Sequence, residues 1–286
     1  RAIETPGGLK IQTIHSFCAS LLRRFPLEAG VSPQFTEMED RAAALLQAEI
    51  IEDFAEGPQA HLVDGVARYL NDTTFDGLTK ALVQRRDMFE QPLDQIPIWQ
   101  SLDLPIGFDE DRLRAKAYLG GEENLLVRLR AALRAGTDRE AANAEVLSGI
   151  SVPDLRDLQI LESVFLTKSG KYPNTAKLGK FPNKATQAAN PELMPELEAL
   201  MLRIEATRPL RLSLACARKS LSLHEFAAAF LPEYARRKQL RGWLDFDDLI
   251  LKARHLLNDP AVAQWVLYRL DGGIDHILVD EAQDTS

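Results

Sequence analysis

The first residues of the chain alternate apolar and polar with the period of a strand and then change to the period of a helix. Residues 9–13, Leu-Lys-Ile-Gln-Thr, follow the turn Pro6-Gly7-Gly8 and are typical of a short strand. From Ile14, apolar residues recur at offsets of 3, 4, 7, 8 and 11, as on one face of an amphipathic helix. Pro26 ends this pattern, so a strand followed by a helix is predicted.

From Thr36 onward the apolar positions predict helices. Two sets of residues each share one helical face, namely Ala43, Leu46, Ile50 and Phe54, and then Leu125, Leu126, Leu129 and Leu133. Breaks are predicted at Gly57-Pro58, from Pro105 to Gly107, and at Gly120-Gly121. A long helical region runs from Pro191 to about Gly242, in which Pro209 and Pro232 are each expected to end or kink a segment.

The last part of the chain predicts two more helices and a strand. Asp245 and the acids that follow it favour a helix start. Asp259 before Pro260 predicts the next helix, with the aspartate as N-cap and the proline at the first position. Residues 274–279, Ile-Asp-His-Ile-Leu-Val, are typical of a strand buried on both faces of a parallel sheet. The fold class is therefore mainly α, with short strand-bearing pieces at both ends.

Composition narrows the class of protein. With 286 residues, 45% apolar and 27% charged, the chain is long enough for about two globular domains, and collagen or low-complexity disorder is excluded. The longest apolar run has six residues, far short of the roughly 20 that cross a bilayer. Cys18 and Cys216 fit no metal-binding spacing, as expected for free thiols in a reducing cytoplasm. The chain lacks an initiator Met and a signal sequence, which favours a fragment of a longer protein.

One basic segment stands out against a net charge of −8. Residues 167–191 hold Gly, Pro, Asn and Lys without periodicity, which predicts a long exposed loop. The segment contains no acid but five lysines: Lys168, Lys171, Lys177, Lys180 and Lys184. With Tyr172 and Phe181 between them, these lysines are expected either to grip nucleic-acid phosphates or to keep a solvated loop soluble.

Two adjacent acids, Asp280 and Glu281, follow the strand predicted for residues 274–279. The carboxyl end of a parallel strand opens into the crevice where α/β sheets bind ligands. There Asp280 would hold Mg²⁺, and Glu281 would orient and deprotonate the water that attacks a nucleotide. The alternative is that both acids only mark the point where the strand meets solvent.

Residues 277–286, ILVDEAQDTS, closely resemble motif II, the Walker B element of superfamily 1 helicases of the UvrD kind. The resemblance implies that Asp280 holds the metal, that Glu281 is the general base, and that both contact ATP. It further implies that Gln283 senses the nucleotide and couples it to DNA movement.

Two further stretches resemble the same family. Residues 11–18, IQTIHSFC, resemble the TxHSF element, motif Ib, which meets single-stranded DNA and implies DNA contacts for Thr13, His15 and Ser16. Alternatively, His15 is an ordinary helix-start residue with Thr13 or Ser16 as N-cap. Residues 243–250, WLDFDDLI, resemble the LDFDDL helix start before motif II, whose acids we interpret as structural because they favour the helix macrodipole.

Taken together, these stretches resemble AddA-type helicase-nuclease subunits of bacterial double-strand-break repair. The resemblance implies a fragment of a 3′ to 5′ DNA helicase that uses ATP and Mg²⁺. Its partners would be DNA and an AddB-type subunit, and no membrane association is expected. The DNA backbone would be contacted by Lys171, Lys177 and Lys180. The implied domains are residues 1–27 (a piece of the RecA-like motor domain 1A), 28–241 (a helical 1B domain) and 242–286 (the return to 1A).

The sequence also departs from the helicase pattern. It contains no GxxxxGK[ST] phosphate loop, so the isolated chain is expected not to hydrolyse ATP. Two alternatives stay open: a stand-alone UvrD-like helicase without a nuclease domain, and a non-catalytic helical module that binds DNA or protein and carries a vestigial DEAQD string.

Overall fold

A computed structural model describes residues 13–70, 74–170 and 172–269, and these are mostly helical. The prediction of a mainly α chain is confirmed. The strands predicted for residues 9–13 and 274–279 fall, apart from Thr13, outside the described residues. The described α-helices are α1 (Ile14–Arg24), α2 (Asp40–Glu56), α3 (Ala60–Ala67), α4 (Phe75–Gln84), α5 (Gln95–Ser101), α6 (Glu110–Ala117), α7 (Glu122–Arg134), α8 (Asp138–Val146), α9 (Leu158–Phe165), α10 (Lys184–Ala189), α11 (Met194–Arg241), α12 (Phe246–Asn258) and α13 (Ala263–Arg269).

Two short strands were not foreseen by the apolar pattern. Strand β1 (Thr36–Glu37) pairs in parallel with β2 (Trp243–Leu244), and Met38 N–H donates to Leu244 O at 2.8 Å. With two residues each, these strands are too short for an alternating pattern to be visible in the sequence.

Contacts divide the chain into two compact units. Of the described residues, those up to Gln91 and from Glu225 onward form the first unit, and those within Pro92–His224 form the second. One core of the first unit joins α1 to α12 and includes Leu22, Leu249 and Leu256. The second unit is built around a leucine-rich core drawn from α5 to α9 and the first part of α11.

Helix α11 is continuous over 48 residues, so the expectation that a segment ends at Pro209 or at Pro232 is wrong. A proline inside a helix removes one hydrogen bond and crowds the preceding turn. Buried residues lie close to both prolines, with Ile204 near the first and Phe230 near the second. Tertiary packing of these side chains therefore offsets the local cost of each proline.

Several predicted boundaries are confirmed. Thr13 caps α1, α2 ends before Gly57, and α7 begins after Gly121. Asp245 caps α12 through a reciprocal capping box with Asp248. Helix α13 begins at Ala263 rather than at Pro260, because a turn comes first in which Ala261 N–H donates to Asp259 Oδ1 at 2.8 Å.

The segment 167–191 is more structured than the predicted long exposed loop. It contains α10, and its base is a short antiparallel bridge between Leu166 and Ala176. Phe181 and Thr186 are buried. The sequence pattern did not predict this structure because the segment is stabilised by contacts with residues outside it, and its own apolar residues show no periodicity.

Among the described residues, no helix is both long and apolar enough to cross a membrane.

Glu140 is the main polar anchor of the segment 167–191. The side chain is 4% exposed and accepts hydrogen bonds from the backbone N–H groups of Thr137 and Asn183 at 3.0 and 2.8 Å. The Asn183 amide and the Thr186 hydroxyl also donate to it. Burial alone would raise the pKa of Glu140, but these donors outweigh it and lower the pKa below 4.5.

Glu140→Gln should therefore destabilise the protein by about 2–3 kcal/mol, since an amide leaves buried donors facing its own NH₂ group. The pKa of Glu140 is lower in the folded than in the unfolded protein. Its contribution to the free energy of unfolding is therefore complete above the pKa of the unfolded state, and it is lost as the pH falls through the pKa of the folded state. Chemical unfolding at several pH values measures both effects. Glu145→Gln, an exposed change on the same helix, should stay within about 0.5 kcal/mol; equal losses for both variants would contradict the account.

Candidate functional site

The start of α1 presents polar side chains to solvent. Thr13 and Ser16 are exposed, and Thr13 Oγ1 accepts a hydrogen bond from Ser16 N–H at 3.3 Å. The Thr13 hydroxyl donates to Ser16 Oγ at 3.0 Å. Thr13 and Ser16, two of the residues for which the resemblance implies DNA binding, thus lie together at a helix N-terminus, where backbone N–H groups and the helix dipole favour anions.

His15 contacts an aromatic ring from a distant part of the sequence. Its ring centroid lies 4.9 Å from that of Phe246, and the two ring planes are inclined by 53°. His15 is half-buried, whereas Phe246 remains 44% exposed although it is a large apolar residue. The pair therefore presents an accessible aromatic surface beside the hydroxyls of Thr13 and Ser16.

The two helices that carry these rings share one core. Cys18, Leu21 and Leu22 of α1 are buried in the same cluster as Leu249 and Ala253 of α12. Because His15 and Phe246 are near the first residues of their helices, the two N-terminal ends lie side by side. This packing places two stretches more than 200 residues apart in one surface.

Four charged side chains, of which Lys238 is buried and the other three are partly buried, form a group here called the charge quartet: Arg86, Lys238, Asp245 and Asp248. Lys238 Nζ lies 2.5 Å from Oδ2 of both aspartates. Arg86 donates to both carboxylate oxygens of Asp245 at 3.0 and 3.2 Å and contacts Asp248 Oδ1 at 3.2 Å. Two positive and two negative charges balance, so the quartet is neutral as a unit.

Within the quartet, the pKa values of Asp245 and Arg86 are shifted toward the ionised forms. Burial by itself would raise the pKa of Asp245, but the hydrogen bonds and charges of Arg86 and Lys238 outweigh it and lower the pKa. For Arg86, burial acts to lower the pKa, but the hydrogen bond and charge of Asp245, together with the charges of Asp248 and Asp247, outweigh it and raise the pKa. The acids that we interpreted as structural thus carry more than a macrodipole effect.

Sequence reasoning missed Arg86 and Lys238. The spacing of Asp245 and Asp248 marked a helix start, but Arg86 lies 159 positions before Asp245 and no local pattern connects them. Lys238 is seven residues from Asp245, at the far side of a turn. Its 4% exposure, rare for a lysine, is visible only in the fold.

The lysines of segment 167–191 belong to the second unit and differ in exposure. Lys168, Lys180 and Lys184 are exposed. Lys177 donates from Nζ to Val164 O at 2.5 Å, and burial together with the charge of Lys168 lowers its pKa. Lys171 lies outside the described residues. Lys177 is therefore engaged with the main chain, while Lys168, Lys180 and Lys184 are open to solvent.

The residues assigned to nucleotide chemistry, Asp280, Glu281 and Gln283, lie outside the described residues. Within the described parts of the chain, no group of three or more His, Cys, Asp or Glu side chains is arranged to hold a metal ion. The assignment of Asp280 to Mg²⁺ stays a prediction.

Comparisons with known proteins point to one family. The profile of the UvrD/REP helicase N-terminal domain matches residues 4–286. Proteins named as subunits of an ATP-dependent helicase/nuclease are similar: one from Listeria monocytogenes is 22% identical over 100% of this chain and 26% of its own length. One from Exiguobacterium sibiricum is 26% identical over 97% of this chain and 25% of its own length. The chain thus spans about a quarter of these relatives.

Asp245→Asn should destabilise the protein by about 3 kcal/mol, because it removes one charge from a largely buried, balanced quartet while keeping a side chain that can cap a helix. Asp247→Asn is the matched control in the same helical turn, and since Asp247 is exposed its loss should stay below about 1 kcal/mol. Urea unfolding of both variants measures the difference. A loss for Asp245→Asn as small as that for Asp247→Asn would show that the quartet contributes little.

Proposed function

Because the chain belongs to the UvrD/REP helicase N-terminal domain family, we propose that it is part of an ATP-dependent 3′ to 5′ DNA helicase of the AddA type that acts in double-strand-break repair and recombination. The similarity to helicase/nuclease subunits over nearly the whole chain supports this proposal. In that protein, these residues bind single-stranded DNA and supply part of the nucleotide site.

The contact between His15 and Phe246 is the observation that carries the DNA-binding proposal. Proteins that bind single strands combine aromatic rings, on which bases stack, with polar groups that follow the phosphates. Phe246 offers an exposed ring, and Thr13 and Ser16 offer hydroxyls at a helix N-terminus beside it. A base would stack on Phe246 while the neighbouring phosphate lies at the start of α1.

The domain assignment is also a proposal. We assign residues 1–27 and 242–286 to the RecA-like motor domain 1A and residues 28–241 to a helical 1B domain. The helical second unit, Pro92–His224, supports the central part of the proposed 1B range, whereas residues 28–91 and 225–241 of that range belong to the first unit. The resemblance implies DNA-backbone contacts by Lys171, Lys177 and Lys180; in 1B we keep this assignment for Lys171 and Lys180, and assign Lys177 to supporting the segment through its bond to Val164.

The nucleotide chemistry rests on the motif of residues 280–283. We assign Asp280 to Mg²⁺ binding, Glu281 to the activation of the attacking water, and Gln283 to sensing of the nucleotide. A phosphate-binding loop, a nuclease domain and an AddB-type partner would belong to the rest of the full-length protein. The word "subunit" in the relatives' name agrees with such a partner.

Phe246→Ala should weaken binding of a single-stranded oligonucleotide by the full-length protein about 5- to 140-fold, since stacking of a base on an aromatic ring contributes about 1–3 kcal/mol. His15→Ala should act in the same direction because His15 supports the Phe246 ring. Fluorescence anisotropy with a labelled oligonucleotide measures the dissociation constants. Leu27→Ala, which changes an apolar residue that is 86% exposed in the turn after α1, is the control and should leave affinity unchanged. Unchanged affinity for Phe246→Ala would remove the basis of the proposal.

Glu281→Gln in the full-length protein should reduce ATP hydrolysis by about a hundred- to ten-thousand-fold while ATP still binds, because the amide keeps the size of the side chain but accepts no proton. Asp280→Asn should weaken Mg²⁺-dependent nucleotide binding as well as turnover. Steady-state ATPase assays and nucleotide-binding titrations separate the two effects. If both variants hydrolyse ATP normally, the DEAQD string is vestigial and a non-catalytic interaction module is the better explanation.

A further inference from the structure

The charge quartet holds the turn between α11 and α12, and α12 carries Phe246 of the proposed DNA site. Lys238 lies in the last turn of α11, the chain turns at Gly242 with a φ of +65°, and β2 follows. Asp245 then caps α12, so the bond between Lys238 and Asp245 spans the whole turn. Arg86 reaches the same carboxylate from the short 3-10 helix Arg86–Phe89.

Both aspartates also hold the backbone of the first turn of α12. Asp245 N–H donates to Asp248 Oδ2 at 3.1 Å, and Asp248 N–H donates to Asp245 Oδ1 at 2.8 Å. Phe246 lies between these two residues in the sequence. The backbone of Phe246, whose ring centroid lies 4.9 Å from that of His15, thus belongs to a turn whose two carboxylates are held by Lys238 and Arg86.

Lys238 lies where it can hold this turn but cannot contact DNA directly. Its side chain is 5% exposed, and Nζ lies 4.8 Å from the centroid of the Tyr234 ring as well as between the two carboxylates. A phosphate in solvent cannot reach an ammonium group enclosed in this way. The side chain of Arg86, at 20% exposure, is similarly committed to the two aspartates.

We propose that Lys238 and Arg86 are positioning residues of the single-strand site, which hold the start of α12 so that Phe246 faces His15 and stays open to a base. This inference rests on the proposed function and deepens it, because it extends the site from the residues that touch DNA to the buried Lys238 and the partly buried Arg86 that orient them.

The first test is Lys238→Met in the full-length protein, measured by anisotropy with a labelled oligonucleotide at a temperature where melting curves show the variant to be folded. Affinity should fall about tenfold, close to the loss for Phe246→Ala. Lys238→Arg, which keeps the charge, should restore most of it. Arg237→Met is the matched control, since Arg237 is a neighbouring cation on α11 that is 14% exposed but binds Glu49, Asp53 and Glu233 instead of the quartet.

Arg237→Met should lower thermal stability yet leave affinity for the oligonucleotide unchanged. Equal losses of affinity for Arg237→Met and Lys238→Met would mean that general destabilisation explains both, and would overturn the inference. Full affinity for Lys238→Met would overturn it as well.

A double-mutant cycle then asks whether Lys238 acts through Phe246. If it does, Lys238→Met should cause little further loss when Phe246 is already alanine, because the ring it positions is gone. The salt dependence of binding should keep its slope, since each lost phosphate contact would lower the log-log slope by about 0.7. Additive losses, or a flatter slope, would show instead that Lys238 acts independently of the ring.

The two levels of the proposal fail in different ways. If Phe246→Ala weakens binding while Lys238→Met does not, the positioning role is wrong and the DNA site stands. If Phe246→Ala has no effect, the DNA site itself is wrong and the positioning role is overturned with it.

Discussion

The balanced charge quartet of Arg86, Lys238, Asp245 and Asp248 is the interaction on which the arrangement of the first unit depends most. It connects the end of α11 and the start of α12, which are seven residues apart, to Arg86 in the 3-10 helix after α4, which lies 159 positions before Asp245. Removing one partner from such a group leaves an unbalanced charge out of water, at a cost of about 3–5 kcal/mol. The turn between α11 and α12 is therefore fixed by electrostatics as much as by apolar packing.

This turn leads directly into α12, which carries Phe246 of the proposed DNA-binding site. The quartet holds the first turn of α12, the shared core holds α12 against α1, and the two helix starts then meet at His15 and Phe246. The polar groups of the α1 start and an exposed ring lie in one surface, as binding of a single strand requires. The charges of the quartet, the apolar core between α1 and α12, and the exposed surface of Phe246 thus all contribute to one small region of the first unit.

Local patterns in the sequence predicted the helices that have caps and clear faces, including the start of α12 at Asp245 and the breaks around α7. The local patterns gave wrong predictions where contacts between residues distant in the sequence determine the structure. Pro209 did not end α11, and the segment 167–191 is ordered by Glu140, which lies outside it. For the site, motifs pointed to His15, but the cations of the quartet carry no local signal, since their partners are set only by the fold.

The most direct measurement is photo-crosslinking of the full-length protein to a single-stranded oligonucleotide that carries 5-iodouracil, followed by mass spectrometry of the peptides. Iodouracil forms covalent adducts with aromatic and histidine side chains that touch the base. We expect adducts on the peptides that contain His15 and Phe246, and we expect these adducts to disappear when excess unlabelled single strand competes. Adducts confined to other parts of the protein, with none on these two peptides, would contradict it.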